Sequence, residues 1–286
     1  MAAAGGPELN MLKIIDTHFH LPSAEEKSFE DFEAQFQNDI RRAAEALSVS
    51  REEISFALVA AGGDYTESCR AKEYAAIRDN VRYSCGVHPH QAENHLAAPQ
   101  DFNVFKNDPK LCAIGEIGLD YFYEKSPVAE QRQVFEEFLQ LALDWNLPAM
   151  LHIRDKDGEF NAGNDALERL SKFAAAGGRF VIHCCTIPEE KIGSFLDLGA
   201  MIGVTGMITF KRAENVRSML KTVPNDRLML ETDAPYLAPI PFRGGENSPG
   251  LLPLAAQMLA VERGMSLAEL CELTTANAEN FYFTAK

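Results

Sequence analysis

Eight short apolar runs alternate with longer amphipathic stretches, and no other feature of the chain constrains its fold as much. The runs are Leu12–Asp16, Ile54–Ala60, Val81–Val87, Leu111–Gly115, Pro148–His152, Arg179–His183, Met201–Val204 and Arg227–Glu231. Most are almost continuously apolar, as expected of strands covered on both faces of a parallel sheet. Phe29–Leu47 and Val128–Trp145 carry apolar residues at helical spacing, and shorter helices are predicted over Glu67–Asp79, Asn164–Ala175, Pro188–Leu198 and Ala213–Thr222. Ser266 followed by Glu269 predicts a capping box at the start of a last helix. Eight such repeats imply a (β/α)8 TIM barrel rather than a doubly wound sheet. The 286 residues could fill two ordinary domains, but no linker or low-complexity segment divides them. We therefore expect one domain over residues 11–286, preceded by a flexible tail at 1–10.

Charge narrows the partners. Lys and Arg total 27 against 42 Asp and Glu, a net charge of −15. That balance argues against coating nucleic acid electrostatically, which needs clustered cations, but leaves room for local grip on a phosphate. No apolar run approaches the roughly 20 residues of a membrane span. Met1–Asn10 is rich in Ala and Gly, without Lys, Arg or an apolar stretch, so it does not resemble a secretory or transit signal. The six cysteines form no C-x-x-C pair and read as reduced thiols of a cytoplasmic protein. No heptad pattern implies an obligate protein partner.

Six of the seven histidines fall at or just after the C-terminal end of a predicted strand; His95 is the exception. In a barrel these ends open into one mouth, where active sites of the fold lie. Residues two apart on an extended segment face the same side, so His18 and His20 can offer two imidazoles to one ion. Glu116 follows an apolar strand between Gly115 and Gly118, and a carboxylate there is costly to bury without a cation or an arginine such as Arg154. His152 and His183 close two further strands, and Asp233 lies just beyond the eighth. Glu231, two positions back, reads as an orienting group, Asp120 as a hydrogen-bonding or charge-balancing one, and Cys184 and Cys185 as packing residues. His18, His20, Glu116, His152, His183 and Asp233 suffice for two divalent ions, drawn from Zn, Mn, Mg, Co and Ni.

The segments Asp16-Thr17-His18-Phe19-His20, Gly86-Val87-His88-Pro89-His90, Ile114 to Asp120, His152-Ile153-Arg154-Asp155, Val181-Ile182-His183-Cys184 and Leu230 to Leu237 resemble, in this order, the motifs of the TatD-like metal-dependent hydrolases of the amidohydrolase superfamily. The resemblance covers nearly the whole chain beyond Met11. It implies a TIM barrel with deoxyribonuclease or phosphodiesterase activity, in which a metal-bound hydroxide attacks phosphorus in a binuclear site. One ion would rest on His18, His20 and Asp233 with Glu116 bridging, the other on Glu116, His152 and His183. Asp233 and Glu116 would be catalytic, and His88, Arg154 and Arg243 would line the substrate side. The substrate would be nucleic acid ends or a small phosphodiester, with no membrane partner. The chain departs from the family pattern at Cys185-Thr186-Ile187, which lacks the usual glycine, and at Gly244-Gly245-Glu246. Both departures touch the substrate side and spare the ligands. The same ligand set serves hydrolysis of an ester or amide, including an aminoacyl-tRNA ester, and a non-catalytic binding barrel would require it to be broken.

Overall fold

The computed structural model describes residues 11–93 and 99–283, so the tail expected at 1–10 and His95 lie outside the described residues. Eight parallel strands run in sequence order as β1 (Leu12–His20), β2 (Ile54–Ala61), β3 (Val81–Cys85), β4 (Leu111–Asp120), β5 (Ala149–Arg154), β6 (Phe180–Ile182), β7 (Met201–Val204) and β8 (Leu228–Leu230). The helices are α1 (Phe29–Leu47), α2 (Tyr65–Ala76), α3 (Val128–Trp145), α4 (Asn161–Ala175), α5 (Glu189–Asp197), α6 (Glu214–Thr222), α7 (Leu252–Arg263) and α8 (Leu267–Tyr282). The protein is a TIM barrel with its helices outside. Among the described residues no helix is long and apolar enough to cross a membrane.

Two layers of apolar packing hold it. The larger joins the outward strand faces to the helices and includes Phe36, Ile40, Phe135, Phe138, Leu170 and Phe195. The smaller fills the barrel with Ile15, Val59, Cys112, Met150, Val181, Met201 and Met229. Phe281 and Tyr282 of α8 belong to this inner cluster. Thr275 donates to the Lys13 carbonyl and Asn277 to that of Leu228, so α8 caps the N-terminal ends of the strands. The capping box at Ser266 and Glu269 is present.

Sequence and structure differ chiefly at element ends. β1 and β4 run well past the expected Asp16 and Gly115. β1 shifts register against β2 between Asp16 and Phe19, and β4 shifts against β5 between Ile114 and Ile117. A shift of this kind continues a strand after its regular apolar pattern has ended. Gly118 permits the close approach on β4: its φ is +149°, and a Cβ there would lie 1.9 Å from the His152 carbonyl oxygen. Helix α7 was not expected. It is apolar nearly all round, with Leu252, Leu254, Ala255, Ala256 and Leu259 buried, and so presents no stripe to read.

The barrel closes between β1 and the chain just beyond β8. The Asp233 N–H donates to the His18 carbonyl (2.9 Å), and the His20 N–H to that of Ala234 (2.7 Å). Fully buried Asp16 anchors this seam: Oδ1 accepts from the Thr232 and His18 N–H groups, and Oδ2 lies 2.5 Å from the Thr232 hydroxyl. Burial pushes the Asp16 carboxyl up to about 8, against the pull of Thr232. Its raised folded pKa means that its stabilisation is complete below the unfolded value and is lost as pH rises through about 8. Asp16→Asn reproduces the neutral acid and keeps both bonds at Oδ1, so it should cost under about 1 kcal/mol near neutrality. Asp16→Ala orphans buried donors and should cost about 3 kcal/mol or more. Thermal unfolding of both variants between pH 5 and 8 checks this; equal losses would contradict it.

Candidate active site

The C-terminal strand ends open into one cleft of about 1650 Å³. His20 reaches its floor from β1, Glu116 from β4 and His152 from β5, His88, His183 and Asp233 come from the loops after β3, β6 and β8, and His18 of β1 is fully buried beneath them. The register shift leaves His18 and His20 on one side, with their Nε2 atoms 3.0 Å apart. His183 stacks on His18, ring centroids 3.6 Å apart.

Glu116 is almost fully buried, and its two oxygens face different partners. Oε2 lies 3.4 Å from His18 Nε2 and 3.3 Å from His20 Nε2. Oε1 lies 2.8 Å from His152 Nδ1, 3.6 Å from His88 Nε2 and 4.0 Å from His183 Nε2. Asp233 Oδ1 is 3.4 Å from His183 Nε2 and 3.8 Å from the Nε2 atoms of His18 and His20. His18, His20 and Asp233 form one group spaced to hold a cation, and His88, Glu116 and His152 another. His183 therefore sits nearer Asp233 than the resemblance implies, and His88 occupies its expected place beside Glu116.

Second nitrogens distinguish the rings. His183 Nδ1 lies 3.0 Å from Glu231, His152 Nε2 3.2 Å from Asp120, and His20 Nδ1 3.9 Å from Glu67. His18 Nδ1 lies 2.8 Å from the Met150 thioether. In each case the outer nitrogen lies toward a possible acceptor and the inner one points into the cluster, the side from which a deprotonated ring would offer its lone pair to a metal. His88 is the reverse. Its Nδ1 accepts the His90 N–H (3.1 Å), which places the proton of the neutral ring on Nε2 and turns a donor into the cleft.

The electrostatics follow from packing. Burial alone would raise Glu116, but the surrounding imidazoles, led by His88, hold it well below the ordinary carboxylate range. Burial likewise opposes the ionisation of Asp233, and His183 overturns it, so its carboxyl also sits low. Burial would lower His152; hydrogen bonds to Asp120 and Glu116 lift it to about 9. Burial dominates at His88 and pushes it well down, which keeps the ring neutral. Convergent imidazole nitrogens and ionised carboxylates in a poorly hydrated floor make a donor set suited to divalent cations.

The outer residues are only partly as expected. Arg154 does not pair with Glu116; its guanidinium lies over the rings of Phe122 (4.5 Å) and Tyr123 (4.9 Å). Exposed Arg243 rests over Phe210 at 4.2 Å and is not among the residues lining the cleft. Cys185 is buried packing, whereas Cys184 lines the cleft beside His183 and Asp233. Glu67, Met150, Phe122, Tyr123 and Tyr236 were not singled out from the sequence. Glu67 stands in the first turn of α2, where an acid is ordinary, so nothing marked it as a partner of His20.

Comparison with known proteins agrees with this geometry. Residues 15–283 match the model of the TatD related DNase family. The uncharacterized metal-dependent hydrolase YcfH of Escherichia coli is 34% identical over 264 residues, 92% of this chain and 93% of its own. A protein of Rahnella named 3′-5′ ssDNA/RNA exonuclease TatD is 34% identical over 229 residues, 77% of this chain and 84% of its own. Among solved structures, the TatD homologue YJJV of Escherichia coli superposes with a TM-score of 0.78 at 24% identity, covering 95% of this chain and 98% of its own. With its barrel, its convergent ligand cluster and a family match running almost from end to end, the chain belongs to the TatD family of metal-dependent hydrolases.

Proposed function

We propose that this protein is a metal-dependent phosphodiesterase acting on single-stranded nucleic acid ends. The observation that carries the reading is Glu116, whose two oxygens face separate groups of ligand-type side chains beneath a cleft that also presents the His88 donor and the Arg154 cation. The exonuclease name of the Rahnella relative supports the substrate class.

In this reading His18, His20 and Asp233 would hold one divalent ion and Glu116 with His152 a second, with His183 standing between them at 3.4 Å from Asp233 and 4.0 Å from Glu116. Such ions supply Lewis acidity toward water and phosphate oxygens. Asp233, kept ionised on the cleft side of the cluster, accepts the proton of the attacking water at Oδ1. His88 donates its Nε2 proton to a phosphate oxygen, and the outer edge of the Arg154 guanidinium offers a planar fork to another. Glu67, Glu231, Asp120 and Met150 stand behind the rings proposed as ligands and orient them, and their removal should weaken metal retention rather than the chemical step.

Metal content of purified protein, paired with hydrolysis of bis(p-nitrophenyl) phosphate before and after chelation, tests the proposal. Bound metal with chelator-sensitive hydrolysis is expected. Hydrolysis of an activated ester without hydrolysis of the phosphodiester would move the reading to carbonyl substrates. His18→Ala should lose metal and activity together. His88→Ala should keep its metal and lose about 10²–10³-fold in kcat, the usual cost of removing a donor to a developing charge. Loss of metal from His88→Ala would make His88 a ligand.

Metal uptake should depend on pH. In the metal-free protein His152, at about 9, is protonated at neutrality, and binding must displace that proton. Against burial, Glu231 and Asp233 likewise hold His183 well above the ordinary imidazole range, so apparent affinity should rise with pH from 6 through about 9, with proton release on binding. Calorimetric titration in buffers of different ionisation enthalpy measures that release. An affinity flat between pH 6 and 9 would show that His152 does not compete.

A further inference from the structure

We propose that Phe122, Tyr123 and Arg154 form a stacking subsite for an unpaired nucleobase next to the cleaved phosphate. This deepens the phosphodiesterase reading and rests on it. Phe122 and Tyr123 follow β4 directly and stand 37% and 51% exposed on the wall of the cleft, unusual for large rings unless a partner covers them. They are not loosely held. Asp120 Oδ1 accepts the N–H groups of both residues (2.9 and 2.8 Å), while Oδ2 accepts from His90 (2.7 Å) and lies 3.2 Å from His152. One carboxylate thus fixes the ring pair relative to the ligand cluster. Tyr123 also stands edge-on to His90, centroids 5.5 Å apart.

The cations of the cleft are distributed to match. Lys27 is committed to Glu246, Lys156 to Glu124, and Arg70 to the carbonyls of Pro22 and Lys27. Lys125 and Arg154 have no acidic partner among the described residues, and both lie over Tyr123, at 5.9 and 4.9 Å. Phe122 and Tyr123 stand nearly perpendicular, at 78° with centroids 4.7 Å apart, and the exposed guanidinium is held close to both, a positioned cation beside two accessible rings. Single-stranded nucleic acids are held by this combination, in which bases stack on aromatic and guanidinium planes beside cations that meet the phosphates. A base inside a duplex has both faces covered and cannot use it.

The experiment compares kcat/KM for a short single-stranded oligodeoxythymidylate with that for the same oligonucleotide carrying abasic sugars at both ends. Wild-type protein should favour the base-bearing substrate about ten-fold, mainly through KM. In a Phe122→Ala/Tyr123→Ala variant the ratio should fall to near one, and Tyr123→Trp alone should preserve it. A wild-type ratio near one overturns the subsite. So does a double variant that keeps the wild-type ratio while losing activity on both substrates, because the rings then only prop Arg154. Failure of wild-type protein to hydrolyse either oligonucleotide, or bis(p-nitrophenyl) phosphate, instead overturns the phosphodiesterase reading beneath it.

Discussion

The buried seam at Asp16 is the constraint on which the rest of the site depends. Eight strands laid side by side still leave β1 and β8 to be joined, and β8 is only three residues long. Asp16 makes the join by accepting backbone hydrogen bonds from both sides, from Thr232 and from His18. The residues it fixes are the immediate neighbours of functional ones. Asp16 precedes His18 and His20 on one side of the seam, and Thr232 precedes Asp233 on the other. Closing the barrel and bringing two imidazoles to a carboxylate are the same event. A scaffold that closed by side-chain packing alone would leave that distance to chance, whereas a site of this kind tolerates errors of only about half an ångström.

Above the seam, one floor gives nearly identical side chains different tasks by what stands behind them. Three rings have a carboxylate behind them and one a thioether, and all four turn their second nitrogen inward. His88 backs onto a backbone N–H and turns a proton inward. The distinction costs space as well as charge. Glu231 fits behind His183 only because position 203 is glycine; a Cβ there would lie 2.4 Å from its carboxylate. Such requirements concern neighbours remote in sequence, and they explain why the cluster is held by residues of β7 and α2 that bear no ligand.

The fold was legible because burial on both faces writes strands as continuous apolar runs, and α1 and α3 could be placed to the residue from their stripes. The convergence of His18, His20, Glu116, His152, His183 and Asp233 was legible because the barrel sends every strand's C-terminal end to the same mouth. What could not be read depends on three-dimensional detail. The extensions of β1 and β4 rest on register shifts, which leave no pattern in one strand alone. The tautomer of His88 depends on a local backbone contact, and the pairing of Glu67 with His20 on the packing of α2. Arg154 and Arg243 looked equivalent as basic residues near the mouth. The structure separates them, one over the rings of the cleft wall and the other over Phe210 outside it.

The charge of the chain then acquires a specific meaning. At −15 the molecule repels a polyanion at long range, so the nucleic acid substrate proposed above would gain little from steering and would have to be held by contacts within a few ångströms. Of the five Lys and Arg that line the cleft, Lys27 and Lys156 are paired with acids and Arg70 with backbone carbonyls, which leaves no general basic groove. What remains is short-range: the cluster of imidazoles and carboxylates on the floor, the His88 ring with its Nδ1 tied to the backbone, and a guanidinium beside two rings. Each spans no more than the size of a single nucleotide, and none would extend along a duplex. If the proposed activity holds, an acidic barrel with this mouth would take the end of a strand rather than its length.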